Sequence, residues 1–287
     1  DVLIGGLGTE TIMAGDGDNI VFGDEGFILY QDQRDTANAS VLDEVSGLLL
    51  QPAERLVQGG NERIRTGVGA DIVIAGLGDD TINASDGDNI VFGDDGAITY
   101  QLTTGLRDRI ESRYLNGSGN SPVRAVEAAV GDDVITTGIG SDVAIGGLGN
   151  ETIDVSDGAN IVIGDEGEIH YQNQLSELEE ISTRFTDGAG SFAQGGEHTI
   201  TSGAGRDYIL SGSGSDWLSS GDGADVILRD GQILFHPGTS IPSLIESAYQ
   251  DDNDVLLPAG DSVIFSEGGD DIVFAGSGND WVEGGTG

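Results

Sequence analysis

The 287-residue sequence has no cysteine and no lysine, a single methionine and five prolines. Without cysteine there is no disulfide framework, so any stiffness has to come from hydrogen bonding or from metal. Its basic residues are eleven arginines, set against 51 acids, for a formal charge of −40. Such a balance excludes nucleic acid and anionic membrane surfaces as partners and favours cations. No apolar run approaches the ~18 residues that a membrane span needs, so no transmembrane segment is expected. Nor does a signal sequence open the chain, which starts mid-pattern at Asp1 and reads as a segment of a longer tandem array. HExxH, G-x-S-x-G and a cysteine nucleophile are all missing. The three histidines, His170, His198 and His236, are scattered in sequence. Catalysis in this chain is not expected.

Glycine is what the chain has in excess, with 49 residues, well above the usual share of about 7%. The glycines recur with a nine-residue period, as in Gly67–Ala75, Gly76–Ala84 and Ser85–Gly93, and again from Gly138 and from Gly203. Over it lies a longer period of roughly seventy residues. "GDGDNIVFGDEGFILYQ" at 15–31, "SDGDNIVFGDDGAITYQ" at 85–101 and "SDGANIVIGDEGEIHYQ" at 156–172 are three copies, with a looser fourth at 221–236. Long repeats therefore fall at about 1–31, 61–101, 131–172, 195–236 and 254–287 of one continuous array. Less regular inserts lie between them at about 32–60, 102–130, 173–194 and 237–253.

Each nonapeptide reads as a tight glycine turn followed by a short β-branched strand such as Ile72-Val73-Ile74. Nine residues make half a coil, so two nonapeptides complete one turn of a flattened parallel solenoid with two facing sheets. The middle residue of each strand, such as Val73, Ile82 or Val91, points inward and forms a thin core. Outward residues sort into two classes. Alternate strands carry pairs such as Ile20/Phe22, Ile90/Phe92 and Ile161/Ile163, while the others carry Thr81/Asn83, Thr152/Asp154 and Trp217/Ser219. One sheet is therefore apolar on both faces and has to be covered, by the inserts or by a second copy. Val263 and Phe265 break the pattern on the polar side. Insert segments 42–50, 105–115 and 175–185 have spacing compatible with a short helix or a hairpin strand. Most of the arginines (34, 55, 107, 109, 113, 124 and 184) lie in or beside the inserts, as solvated charge or as partners for acidic turns.

"AGLGDDTIN" (75–83), "GGLGNETID" (146–154), "SGSGSDWLS" (211–219) and "AGSGNDWVE" (275–283) closely resemble the RTX, or haemolysin-type calcium-binding, repeat G-G-x-G-x-D-x-U-x, where U is a large aliphatic residue. The resemblance implies an all-β, right-handed parallel β-roll with several Ca2+ ions between successive turns. Each ion would be shared by position-six acids and turn carbonyls, hard oxygen ligands suited to Ca2+. Carried over by position, the ligands are Asp71, Asp80, Asp133, Asp142, Asp207, Asp216, Asp225, Asp271 and Asp280, with Asp1 at the cut end. Position six departs to Asn at Asn19, Asn89 and Asn160 and to Glu at Glu10 and Glu151. An amide brings no charge, so the Asn rungs either bind Ca2+ weakly or are replaced by an amide hydrogen-bond ladder. Asp16, Asp86 and Asp157 are not expected to compensate.

Two functional readings follow. In the first, an extracellular, calcium-folded structural repeat builds a stiff surface fibre, filament or adhesin stalk, self-associating laterally through the apolar sheet or end to end. In the second, the chain is a calcium-triggered folding or secretion module attached to a secreted enzyme or toxin.

Overall fold

A computed structural model describes residues 1–30, 42–47, 59–112, 131–183, 195–248 and 260–287. Every regular element in them is a β-strand. The glycine turns reverse the chain every nine residues, and the short strands between them stack in parallel, in register but for one shift between Met13 and Gly15: Val73 lies opposite Val91, Ile82 opposite Ile135. Two nine-stranded parallel sheets result. A central sheet runs from Val2–Ile4 to Ile272–Phe274, and a polar sheet from Thr11–Gly15 to Trp281–Glu283. Stacking continues unbroken across the inserts, as Ile20 pairs with Ile72. This is a parallel β-roll.

Middle residues of both sheets meet in the narrow interior. Val73 and Val91 are fully buried there, with Ile82, Ile153 and Ile209 among the same cluster. The apolar outer face of the central sheet is buried too, with Phe22 and Phe92 each 1% exposed and Ile163 fully buried. A third sheet of eight antiparallel strands covers it. Four hairpins build that sheet: Gly26–Tyr30 with Leu42–Gly47, Gly96–Tyr100 with Arg107–Ser112, Gly167–Tyr171 with Leu178–Thr183, and Gly231–Phe235 with Pro242–Ser247. Their inward residues, among them Ile98, Ile110, Ile169 and Ile181, join the outward residues of the central sheet in a second core. Tyr208 and Phe235 meet edge to face across it, 5.5 Å apart.

Among the described residues, the insert segments thus form hairpin strands, Leu42–Gly47, Arg107–Ser112 and Leu178–Thr183, rather than helices. Covering the apolar face is done within the chain, so lateral packing of copies through that face is replaced by an intramolecular sheet. Only the strands nearest the ends stay open, where Val2, Ile4 and Ile272 are exposed. On the polar sheet, Phe265 packs against Trp217 with ring centroids 5.9 Å apart, which accounts for the break in pattern there. Of the arginines, Arg109 contacts Glu168 on the next hairpin and Glu111 at 2.7 Å. Arg34, Arg55, Arg113, Arg124 and Arg184 lie outside the described residues.

Candidate metal centre

Because each turn precedes a strand, the position-six residues line up along the two edges of the roll. Asp71, Asn89, Asp142, Asn160, Asp207, Asp225 and Asp271 follow Asn19 along the edge leading into the central sheet. Asp80, Asp133, Glu151, Asp216 and Asp280 lie on the opposite edge, together with Glu10, Glu62, His198 and Ser262. All twelve expected ligands therefore fall on two ladders, seven on one and five on the other.

Along both ladders a side-chain oxygen of most rungs accepts the backbone N–H of the rung before it, Glu62, Glu151 and His198 being the exceptions. Asp71 Oδ1 accepts from Asn19 at 2.8 Å, Asn89 Oδ1 from Asp71 at 3.1 Å and Asp225 Oδ1 from Asp207 at 2.9 Å. On the opposite edge Asp80 accepts from Glu62, Asp133 from Asp80 and Asp280 from Ser262. This spends one oxygen of each of these carboxylates. The second oxygens of Asp71, Asp80, Asp133, Asp207, Asp225 and Asp271 are buried with no hydrogen-bond partner. A buried, uncompensated carboxylate oxygen is costly, and a hard divalent cation is the group that satisfies several at once. The residues present fit Ca2+. Asp142 and Asp216 differ, since Thr137 and Ser211 donate to their second oxygens at 2.8 and 2.7 Å.

The asparagine rungs depart from the ligand role given to Asn89 and Asn160. Asn89 Nδ2 donates to the turn carbonyls of Ser85 and Gly87 and to Asp142 Oδ1, at 3.1, 2.9 and 3.0 Å. Asn19 makes the equivalent set, and Asn160 donates to Ser156 and Gly158. With Asn89 Oδ1 and Asn160 Oδ1 each accepting a backbone N–H, the orientation of these amides follows from the network. An NH2 group here takes the carbonyls and carboxylate that a cation would take. These rungs are the amide ladder of the two alternatives. Asp16, Asp86 and Asp157 cap the N–H groups of Val68, Ile139 and Ala204 in the next coil.

Electrostatics is most severe on the opposite edge, where Glu62, Asp80, Asp133 and Glu151 stack consecutively, each about 1% exposed. Burial, reinforced by neighbouring acids, pushes the Asp80 carboxyl up to about 9 and that of Glu62 to about 7. Asp133 is raised well above the carboxylate range by burial and by Asp94 and Asp80. Burial also raises Glu151 to about 7, against the pull of His198. Burial thus favours the protonated form of each of these groups.

Three residues of this edge escape a nine-residue reading: Glu62, His198 and Ser262. Each begins again after an insert and has only the second half of a nonapeptide before it, as in Gly59-Gly60-Asn61-Glu62. The first half was left behind at the point where the hairpin departs. There Asp24, Asp94 and Asp165 are buried, and each accepts an N–H from the coil that follows: Leu77 at 3.0 Å, Leu148 and Ser213 at 2.8 Å. The "GD" repeated before the first three hairpins was the available signal. His198, scattered in sequence, is fully buried as a side chain here, with Nδ1 2.5 Å from Glu151 Oε2 and Nε2 3.0 Å from Asp165 Oδ1. Burial opposes its charge, but the hydrogen bonds to Asp165 and Glu151 prevail and hold its pKa well above the usual value.

The sequence matches the RTX calcium-binding nonapeptide repeat at residues 1–26, 65–97, 127–162, 145–168, 195–227 and 259–287, more than half of the chain. It belongs to that family. No curated protein matches the chain. Among the described residues of this RTX protein, no helix is long and apolar enough to cross a membrane. The position-six carboxylates and turn carbonyls are the groups that would hold Ca2+, and a bound ion would supply the positive charge that the two ladders lack. The chain itself fixes the carboxylates by the N–H bonds described above and keeps water from them.

Proposed function

We propose that this chain is a calcium-folded structural element of a secreted bacterial protein, a stiff rod that forms part of a surface fibre, filament or adhesin stalk. One observation carries the reading: buried carboxylate oxygens without donors recur along both edges, so folding free energy and cation-binding free energy are the same quantity. Three stacked sheets support the mechanical role. Nine parallel strands at ~4.8 Å spacing give a rod of about 40 Å with a continuous hydrogen-bond ladder along its axis. Self-association on this reading runs along the stacking direction, because the apolar outer face is already covered. No catalytic step is assigned to the chain.

The −40 charge favours a second reading, a calcium-triggered folding or secretion module serving a separate enzyme or toxin. Self-repulsion keeps such a chain open where calcium is scarce and lets it close where calcium is abundant. Far-UV circular dichroism with light scattering, during Ca2+ titration of chelator-treated protein, separates the two. A joint rise of β signal and scattering supports the fibre, and β signal alone supports the module. Full β signal in chelator overturns both.

A further inference from the structure

Four times the roll is interrupted at the same place, where a hairpin leaves after a central-sheet strand and the chain returns before a polar-sheet strand. The departing residue is Asp24, Asp94, Asp165 or Arg229, and the returning rung is Glu62, Asp133, His198 or Ser262. Equivalence is geometric as well as sequential. A Cβ placed on Gly76, Gly147 or Gly212, all at positive φ, would meet Asp24 Oδ2, Asp94 Oδ2 or Asp165 Oδ2 at 2.6, 2.4 and 2.1 Å. On Gly276 it would meet the Arg229 side chain at 2.6 Å. Likewise a Cβ on Gly93 would meet Asp133 Oδ2, and one on the corresponding Gly164 would meet the His198 ring.

The four junctions differ in what fills them. In the third, both ring nitrogens of His198 face carboxylates, Glu151 on one side and Asp165 on the other. Those three residues place ligand atoms within 4.8 Å of one another, close enough for one ion. In the fourth, Arg229 Nη1 donates to the turn carbonyls of Ser277 at 2.6 Å and Gly260 at 3.5 Å. Nitrogen donors of the chain thus sit among the junction's oxygens in two cases. In the first and second junctions the same place is lined by acids alone: Asp24, Glu62 and Asp80, then Asp94, Asp133 and Asp80. Glu62 Oε1 and Oε2, Asp80 Oδ2 and Asp133 Oδ2 are buried there without a hydrogen-bond partner.

We infer that the first and second hairpin junctions are Ca2+ sites with an additional carboxylate ligand, Asp24 or Asp94, and that His198 and Arg229 take the ion's place in the third and fourth. The inference rests on the calcium-binding reading of the family and assigns these sites ligands from outside the nonapeptide. Anionic side chains meeting from both ends of an insert would make the ion a clasp, joining the strand before the hairpin to the strand after it.

Counting bound Ca2+ per chain by equilibrium dialysis and elemental analysis, with circular dichroism on the same samples, tests this. The Asp24→Asn, Asp94→Asn double variant is expected to stay folded in millimolar Ca2+ and to retain about two fewer ions per chain than the parent protein. An unchanged count in the folded double variant overturns the proposal. His198→Asp recreates the all-acid junction and is expected to bind about one more ion; no gain overturns the proposal, and this variant decides the matter if the double variant fails to fold. A parent protein that binds no Ca2+ overturns the underlying calcium reading itself, an outcome distinct from an unchanged count.

Discussion

Asn89 and Asp142 face each other across adjacent coils through two hydrogen bonds to one oxygen: the Asn89 backbone N–H reaches Asp142 Oδ1 at 2.8 Å and its Nδ2 at 3.0 Å. A neutral donor thereby does for one carboxylate what a cation would do for the others on the same edge. Replacing Asn89 with Asp puts two carboxylates face to face and removes the donor. In chelator this variant should lose roughly 1–3 kcal/mol, the cost of leaving a buried polar group unpaired, and should recover it in Ca2+. Thermal unfolding of both proteins with and without Ca2+ reads the difference; equal losses in the two conditions would contradict it.

Protons should partly replace calcium. Asp80, Glu62 and Asp24 have folded pKa values of about 9, 7 and 6, each raised chiefly by burial, against about 4 in the unfolded chain. Between these values the folded state binds more protons than the unfolded state, so stability falls as pH rises. The metal-free protein should therefore keep the whole of this contribution only below about pH 4 and lose it steadily from there towards pH 9. Urea unfolding in chelator across that range checks the slope, and a slope of opposite sign would refute the prediction. Calcium affinity should follow the reverse course and rise with pH.

Phe92 belongs to the core between the central and hairpin sheets. Phe92→Ala should cost about 3–5 kcal/mol and leave the oligomeric state unchanged, because the chain covers that face itself. Denaturant unfolding and sedimentation report the two quantities separately. Survival of full stability would mean that the hairpin sheet does not pack where it is placed.

Two glycines with similar backbone should respond differently to a methyl group. Gly17 and Gly147 have φ of 100° and 119°, but an added Cβ meets nothing at Gly17 and meets Asp94 Oδ2 at 2.4 Å at Gly147. Gly17→Ala should cost ~1–2 kcal/mol through left-handed strain alone. Gly147→Ala should cost more and weaken calcium binding as well, because Asp94 has to move. Tb3+ luminescence titration of the two variants would detect it.

Much of this was legible from residue periods. Alternation within each three-residue strand identifies Val73 and Ile82 as inward and Phe92 as needing cover, because a side chain's face in a strand depends only on parity. What covers Phe92 was not legible, since the spacing of 105–115 suits a helix and a hairpin equally, and pairing with Gly96–Tyr100 decides between them. At the site, position-six acids with intact nonapeptides were readable. Glu62, His198 and Asp24 were not, because each junction is assembled from residues separated by a whole hairpin. No window of nine can see both halves.

Each of the first four long repeats, taken with the insert that follows it, contributes two strands to the central sheet and two to the hairpin sheet. Strand spacing is the same in parallel and antiparallel sheets, about 4.8 Å, so the two layers advance at equal pace and never drift out of step. That commensurability sets the grain of the molecule's evolution. A duplicated coil without its hairpin would leave a bare apolar gap, and a duplicated hairpin without its coils would have no floor. Lengthening or shortening this rod by recombination must therefore proceed in whole units of about seventy residues, each bringing its own roof.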